Sequence, residues 1–141
     1  MMSLKQKAYF GFGRLMAESP YHQNWTDAEI KRCIIPAIET GMFIMCYDEG
    51  EETKPYMFAT FAFPEPRHIE EYLITGCFPA DGFEGEGYEP WVIDFICLTG
   101  MRDIMRSFRY LKDMFGQYGY YSAQWLRTAS DRRGWHEIKG V

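Results

Sequence analysis

The sequence predicts an α/β domain in which helices pack on a central sheet. Its 141 residues are 47% hydrophobic and 18% aromatic, which suffices for a core of its own and argues against disorder. The predicted elements follow in the order α-α-β-β-α-β-α-β-β, an order typical of helices packed on a sheet. The nearly continuous apolar run Trp91 to Leu98 is typical of a strand covered on both faces. No repeat or linker divides the chain, so we expect one domain over residues 1–141.

Two helices are predicted around a short proline-containing segment near the N-terminus. Apolar residues at helical spacing predict the first helix over Leu4 to Glu18, although two glycines inside it weaken helix formation. Thr26, followed three residues later by Glu29, forms a capping-box signature that predicts the start of the second helix. Pro36 predicts a kink or an early end to that helix.

A hairpin, a short helix and a loop are predicted next. Met42 to Tyr47 and Tyr56 to Phe63 have the composition of two strands joined by a polar turn. A short helix is expected around Arg67 to Ile74. The Gly-rich, acidic stretch Thr75 to Glu89 is predicted to be an exposed loop, with a functional lid as the alternative.

The C-terminal third is predicted to form a strand, a helix and two further strands. A helix over Met101 to Phe115 follows the strand that begins at Trp91, after the pair Thr99-Gly100. Two final strands are expected near Ser122 to Thr128 and Trp135 to Lys139, on either side of a turn at 131–134.

Composition and charge exclude several classes of function. The net charge of -5 disfavours nucleic acid as a partner, because phosphate binding needs a positive field. No apolar run approaches the roughly 20 residues that span a bilayer, and we find no signal peptide. The cysteines are widely spaced without a Cys-x-x-Cys pair, which argues against a zinc site and a disulfide framework and favours a reducing cytoplasm; they are Cys33, Cys46, Cys77 and Cys97.

The most informative segment is Ser19 to Trp25, which reads Ser-Pro-Tyr-His-Gln-Asn-Trp. Histidine is the side chain whose charge changes near neutral pH, and His22 lies in a segment stiffened by proline and flanked by an aromatic residue. Reactive side chains tend to lie in loops that a rigid scaffold supports. The alternative is that Ser19 and Pro20 end the helix and His22 is an ordinary surface residue.

Asp94 is the second informative residue, because it interrupts the buried strand that begins at Trp91. A buried carboxylate needs a partner, since an unpaired buried charge is very costly. One interpretation is a structural salt bridge or hydrogen bonds to loop amides. The other is that Asp94 faces His22, orients its ring and stabilises the imidazolium, as a carboxylate does for a histidine general base.

A basic stripe is predicted on the helix that follows this strand. Arg102, Arg106 and Arg109 lie at positions i, i+4 and i+7, so they share one helix face. A solvated helix face is the simpler interpretation. However, a strand that ends at Thr99-Gly100 and opens into a helix also presents backbone N–H groups to an anion, and a phosphate-bearing thioester carrier would suit both features.

Together, these stretches resemble the RTX-toxin-activating lysine acyltransferases, relatives of the protein that activates haemolysin. The family's Ser-Pro-x-His-x-x-Trp segment is matched by Ser19 to Trp25, and its Trp-x-x-Asp pattern by Trp91 to Asp94, with Gly100 soon after. Near the C-terminus, Leu126-Arg127 and the segment Trp135 to Gly140 are similar in layout.

The resemblance implies a GNAT-like fold, with a mostly antiparallel sheet flanked by helices, and a toxin-activating enzyme. It implies transfer of a fatty acyl group from acyl carrier protein, as a phosphopantetheine thioester, to a lysine of a protoxin-like acceptor, without a permanently bound cofactor or metal. Some members form dimers, so a homodimer is allowed. The implied catalytic residues are His22 as base, Asp94 and Ser19. The candidate substrate- or carrier-binding residues are Asn24, Trp25 and Gly100, together with Arg102, Arg106 and Arg109 of the basic stripe.

Two other functions stay open at this point. One is a GNAT-type transfer from acyl coenzyme A to a small amine, although the pyrophosphate loop Arg/Gln-x-x-Gly-x-Gly/Ala of such enzymes has only a sparse counterpart at Leu98-Thr99-Gly100-Met101. The other is a non-catalytic binding module that keeps the fold and uses its aromatic-rich surface for a partner.

Overall fold

The computed structural model describes residues 2–20, 22–48, 55–127 and 134–139. Tyr21, most of the predicted hairpin turn (49–54) and most of the predicted turn at 131–134 lie outside these residues. The helices are α1 (Leu4–Glu18), α2 (Asp27–Cys33), α3 (Ile35–Glu39), α4 (Pro66–Thr75) and α5 (Met101–Gln117), with a 3-10 helix at Ala80–Glu84. The strands are β1 (Phe43–Tyr47), β2 (Pro55–Ala62), β3 (Trp91–Cys97), β4 (Ser122–Arg127) and β5 (Gly134–Lys139).

The described strands form one sheet in the order β1-β2-β3-β4-β5. Neighbouring strands are antiparallel except β3 and β4, which are parallel and are joined by the crossover helix α5, as parallel strands require. Only Trp91↔Gln124 and Val92↔Trp125 pair these two strands. In the described part of the chain the rest of β3 is therefore unpaired along this edge, which leaves a gap between β3 and β4.

Helices cover both faces of the sheet, and each face has its own apolar core. Leu111 and Phe115 of α5 pack with Ala59 and Val92 on one face. The opposite face carries α1 to α3, where Phe12, Ile34 and Ile38 pack with Phe58 and Ile96. A third cluster lies under α4 and the 3-10 helix. The mostly antiparallel sheet flanked by helices, which the resemblance implied, is confirmed.

Local sequence signals set the helix boundaries, and the capping box at Thr26 is confirmed. Ser3 and Thr26 are the N-cap residues of α1 and α2, and each forms a complete capping box, with Gln6 and Glu29 respectively. Pro36 lies in the first turn of α3, where its missing N–H costs no helical hydrogen bond. The chain thus starts a new short helix at this point, which realises the predicted early end of the second helix.

The stretch from Thr75 to Glu89 differs from its prediction as an exposed loop. It contains the 3-10 helix, and its Phe78 and Phe83 are almost completely buried. Their rings pack against each other with centroids 5.0 Å apart, and Phe78 also packs against Tyr72 of α4. The acidic and glycine residues made the segment look polar, but its aromatic side chains anchor it to the core.

Gly87→Ala is expected to destabilise the fold. The Gly87 N–H donates to the Phe63 carbonyl at 2.8 Å, and a Cβ at this position would overlap the Pro64 carbonyl oxygen. The backbone must therefore shift, which we expect to cost about 1–3 kcal/mol in the free energy of unfolding. Urea denaturation measures this cost.

Gly13→Ala is the matched control, because Gly13 is exposed in α1 and a Cβ there meets open space. It should raise the free energy of unfolding by about 0.5–1 kcal/mol, since alanine favours helix. If the Gly87→Ala variant is as stable as the parent, Gly87 does not lie as close to the Pro64 carbonyl as described.

Candidate active site

His22 is held between α1 and α2 by its own turn. Ser19 accepts a backbone hydrogen bond from Gln23 at 2.8 Å, and the His22 carbonyl accepts one from Trp25 at 3.0 Å. The rings of His22 and Trp25 lie with their centroids 4.7 Å apart. His22 is only 4% exposed, so the alternative of an ordinary surface histidine is wrong.

The Ser19 side chain contacts the same imidazole. Its Oγ accepts a hydrogen bond from the His22 backbone N–H at 3.3 Å and lies 2.9 Å from Nδ1 of the ring. A hydroxyl that accepts from the backbone can donate its own proton to Nδ1. When Ser19 donates in this way, the ring proton of neutral His22 is on Nε2.

Asp94 lies on the other side of the ring, with its Oδ1 3.3 Å from His22 Nε2. The predicted contact between these residues, 72 positions apart in sequence, is thus present. Ser19 donates to Nδ1 and Nε2–H donates to the carboxylate, so three side chains form one hydrogen-bonded series. A carboxylate in this position can stabilise a positive charge on an imidazole ring.

A β-bulge directs Asp94 toward the histidine. Thr60 pairs with Asp94, but the next residue of β2, Phe61, pairs with Val92, so Ile93 is the additional residue. Ile93 and Asp94 therefore both line the cleft on the α2 and α4 side. The Asp94 N–H donates to Thr60 Oγ1 at 3.0 Å, which holds the bulge in place.

Burial sets the electrostatics of the site. It raises the pKa of the Asp94 carboxyl, and the hydrogen bond and charge of His22 oppose part of that rise. Burial also raises the pKa of the Cys33 thiol, against a lowering hydrogen bond from Arg32. Cys33 is thus neutral at physiological pH, and His22 is the group whose charge acts on Asp94.

An open cleft lies beside Asp94. Its lining combines aromatic and aliphatic side chains with two thiols, two acidic side chains and a guanidinium; the residues are Trp25, Glu29, Arg32, Cys33, Tyr72, Gly76, Cys77, Phe78, Ile93 and Asp94. Of the three side chains in the hydrogen-bonded series, Asp94 lines this cleft. A side chain that enters the cleft therefore meets the carboxylate that is paired with His22.

The gap between β3 and β4 leads to the N-terminus of α5. Gly100 precedes this helix with φ +104°, a conformation that favours glycine. Asp103 in the first turn accepts a hydrogen bond from Thr99, and its charge offsets part of the attraction of the helix N-terminus for an anion.

The arginine stripe of α5 is not brought to the cleft, because α5 covers the opposite face of the sheet from α1 to α3. Arg106 is engaged locally: it pairs with Asp48 at 2.7 Å and with Asp103 at 2.6 Å, and its guanidinium lies 3.5 Å from the Tyr56 ring centre. Arg102 and Arg109 are exposed, as is Asn24.

Sequence reasoning missed several residues that shape the cleft. Glu29 was identified only as a helix cap, and Arg32, Cys77 and Phe78 were not singled out. The spacing of three residues between Glu29 and Arg32 places both on one helix face and was available as a signal. The bulge at Ile93 had no signal in the sequence, because nothing in an apolar strand marks where pairing shifts.

The mostly antiparallel sheet with one parallel pair, and the crossover helix that joins that pair, are consistent with a single-domain GNAT-like α/β fold. The chain belongs to the RTX toxin acyltransferase family, whose model matches residues 4–134. This confirms the resemblance noted from the sequence.

A curated relative is the RTX-II toxin-activating lysine-acyltransferase of Actinobacillus pleuropneumoniae. It is 26% identical over 102 residues, which make up 72% of this chain and 60% of the relative. The match thus spans less than two thirds of the relative's length. Among the described residues, no helix is both long and apolar enough to cross a membrane.

Proposed function

We propose that this protein is a lysine acyltransferase that moves a fatty acyl group from acyl carrier protein to a lysine ε-amine of a protoxin-like protein. The observation that carries the proposal is the hydrogen-bonded series Ser19–His22–Asp94 beside an open cleft, in a member of the RTX toxin acyltransferase family. The name of the curated relative supports a lysine as the acceptor and a toxin as its bearer.

The chemistry requires a base, and His22 is suited to this role. A lysine amine is protonated at neutral pH, so it must lose a proton before it attacks a thioester carbonyl. Solvent takes the first proton of the ammonium, and His22 accepts the second as the amine attacks. Asp94 stabilises the resulting imidazolium. Ser19 holds the ring in position and has no need to become acylated.

The acyl transfer exchanges one bond for another, and each proton has an acceptor. The lysine nitrogen forms a C–N bond with the thioester carbonyl, and the C–S bond to the carrier breaks. The imidazolium returns its proton to the departing thiolate, so the products are an amide and a thiol. The ammonium's first proton goes to solvent. Backbone N–H groups are the usual donors to the tetrahedral oxyanion.

The gap between β3 and β4 suits the donor. An extended phosphopantetheine arm fits along the unpaired edge of β3, with its thioester near Asp94 and its phosphate near Gly100 and the N-terminus of α5. Arg102 and Arg109 then face the carrier protein. Arg106 has a mainly structural role in this arrangement, because Asp48, Asp103 and the Tyr56 ring already engage it.

Acylation of a lysine tests the proposed function directly. The full chain is incubated with carrier protein that bears a fatty acyl thioester, and with a lysine-rich acceptor protein. Mass spectrometry then measures acyl mass on lysine. We expect transfer from the loaded carrier and little from the matching acyl coenzyme A. Transfer from coenzyme A alone would overturn the carrier assignment, and no transfer from any thioester would overturn the enzymatic function.

The variant Arg102→Glu with Arg109→Glu is expected to raise KM for the loaded carrier about tenfold at low ionic strength, with little change in kcat, since surface charges act mainly on encounter. KM of the parent should rise with salt, whereas KM of the variant should respond less. Initial rates at several salt concentrations measure both effects.

The matched control is Lys7→Glu with Arg14→Glu on α1. It changes the net charge equally and has the same seven-residue spacing, but lies on the other face of the sheet. An equal rise in KM in both double variants would show a general charge effect and remove α5 from the docking surface.

A further inference from the structure

We infer that the cleft beside Asp94 is the subsite for the acceptor lysine, with Glu29 as the residue that selects its positive charge. The inference rests on the proposed function and adds where the acceptor binds. The aliphatic part of the lysine side chain lies between Trp25 and Phe78, and its ammonium lies near Glu29 and Asp94.

The lining of the cleft fits a flexible apolar chain that ends in a cation. Trp25 and Phe78 provide flat apolar walls, and the contact with the His22 ring fixes the orientation of Trp25. Aromatic faces cover methylene groups and also attract an ammonium. Long cationic side chains bury their stems in such surroundings and keep the charged end near polar groups.

Glu29 is held at the cleft by its position in α2. Its Oε1 accepts hydrogen bonds from the Thr26 backbone N–H and from Thr26 Oγ1, both at 3.2 Å. The capping box thus fixes a carboxylate in the cleft wall before any ligand binds. Because the side chain is already ordered, the ligand does not have to order it.

A long fatty acyl chain fits this cleft poorly. Its lining includes the acidic side chains of Glu29 and Asp94 and the guanidinium of Arg32, and an apolar chain would remove water from them without replacing their hydrogen bonds. The gap between β3 and β4 offers the donor a separate approach. The two substrates would then meet at Asp94 and His22 from different directions.

Arg32 supplies a charge of the opposite sign in the same cleft, and it interacts electrostatically with Glu29. Its guanidinium repels an incoming ammonium, whereas Glu29 attracts it. Neutralising each residue in turn should therefore change lysine affinity in opposite directions. Damage to the fold would change both affinities in the same direction.

Binding of a small lysine probe in the absence of donor tests the inference. The probe is N-acetyl-lysine methylamide, and N-acetyl-norleucine methylamide is its uncharged match. The NMR signal of the Trp25 indole N–H, assigned with Trp25→Phe, reports on binding. The lysine probe should shift this signal and the norleucine probe should bind at least fivefold more weakly.

Glu29→Gln, which keeps the capping box, should weaken lysine binding about three- to fivefold, and Arg32→Gln should strengthen it by a similar factor.

Glu70→Gln is the charge-matched control, because Glu70 is exposed on α4 and does not line the cleft; it should leave binding unchanged. Suppose that the chain still acylates protein lysines, but the two probes bind equally well or the Trp25 signal does not shift. The subsite would then be wrong, and the proposed function would stand. Lysine binding at Trp25 without transfer from any thioester would support the subsite and overturn the proposed function.

Discussion

His22→Gln is expected to lower the rate of lysine acylation by about 10²- to 10⁴-fold, the usual contribution of a general base. Glutamine is close to histidine in size and can still donate to Asp94, but its amide accepts no proton near neutral pH. KM for the loaded carrier should change little, because the lost interaction acts on the reacting amine. Initial rates followed by mass spectrometry of the acceptor measure both quantities.

The control is His68→Gln, because His68 is the other buried histidine that contacts an aspartate in the described part of the chain. Its Nε2 lies 3.4 Å from Asp81, and its Nδ1 accepts the Glu65 backbone N–H at 3.1 Å. Glutamine can keep that capping interaction. We expect His68→Gln to lose some stability and to keep its kcat.

Comparison of the two histidine variants separates chemistry from folding. If both lose activity in proportion to their loss of stability, His22 has only a structural role. If His22→Gln stays folded, as judged by circular dichroism, and still acylates lysine at the parent rate, the general-base mechanism is wrong. A proton acceptor other than His22 would then be needed.

The elements that the sequence predicted well are those with local causes. The capping box at Thr26 and the proline at position 36 act within one helical turn, so they could be recognised without knowledge of the rest of the chain. The contact between His22 and Asp94 was also foreseen, by a different argument. A carboxylate in a buried strand needs a partner, and histidine was a chemically suitable one.

The features that were missed depend on contacts between distant segments. Phe78 and Phe83 are buried because α4 and β3 supply the surface that covers them, although their own segment is rich in Gly and Glu. Arg106 followed the predicted helical spacing with its neighbours, but Asp48, 58 residues away, takes up its charge. Such pairings depend on the strand order, which local patterns do not determine.

Asp94→Asn is expected to reduce acylation about as strongly as His22→Gln, and also to stabilise the fold at neutral pH. Asparagine accepts the hydrogen bond from Nε2–H but cannot neutralise an imidazolium, so the base loses its support. The carboxylate is also buried, and its removal relieves the cost of desolvating a charge. We expect a gain of about 1 kcal/mol at pH 7. Rates and thermal unfolding, measured between pH 4 and pH 8, test both parts.

The pH dependence of this gain follows from the pKa of Asp94, which burial raises in the folded chain while His22 opposes part of the rise. The folded state therefore keeps the Asp94 proton to a higher pH than the unfolded state. The stability linked to that proton is complete below the unfolded pKa, about 3.9, and is lost as pH rises through the folded pKa. The advantage of Asp94→Asn should accordingly be small near pH 4 and grow toward pH 7.

Asp81→Asn should show the opposite sign. Burial raises the pKa of Asp81, but hydrogen bonds from Arg67 and His68 outweigh that effect and lower it overall. The stability linked to Asp81 is therefore present above its unfolded pKa and lost as pH falls through the folded pKa, so its asparagine variant should be the less stable one at pH 7 and match the parent in acid. If Asp94→Asn instead loses stability at pH 7, the Asp94 carboxylate of the parent is held by stronger interactions than the contact with His22. Asp94 would then have a structural role, and its proposed role as the partner of a catalytic base would have to be abandoned.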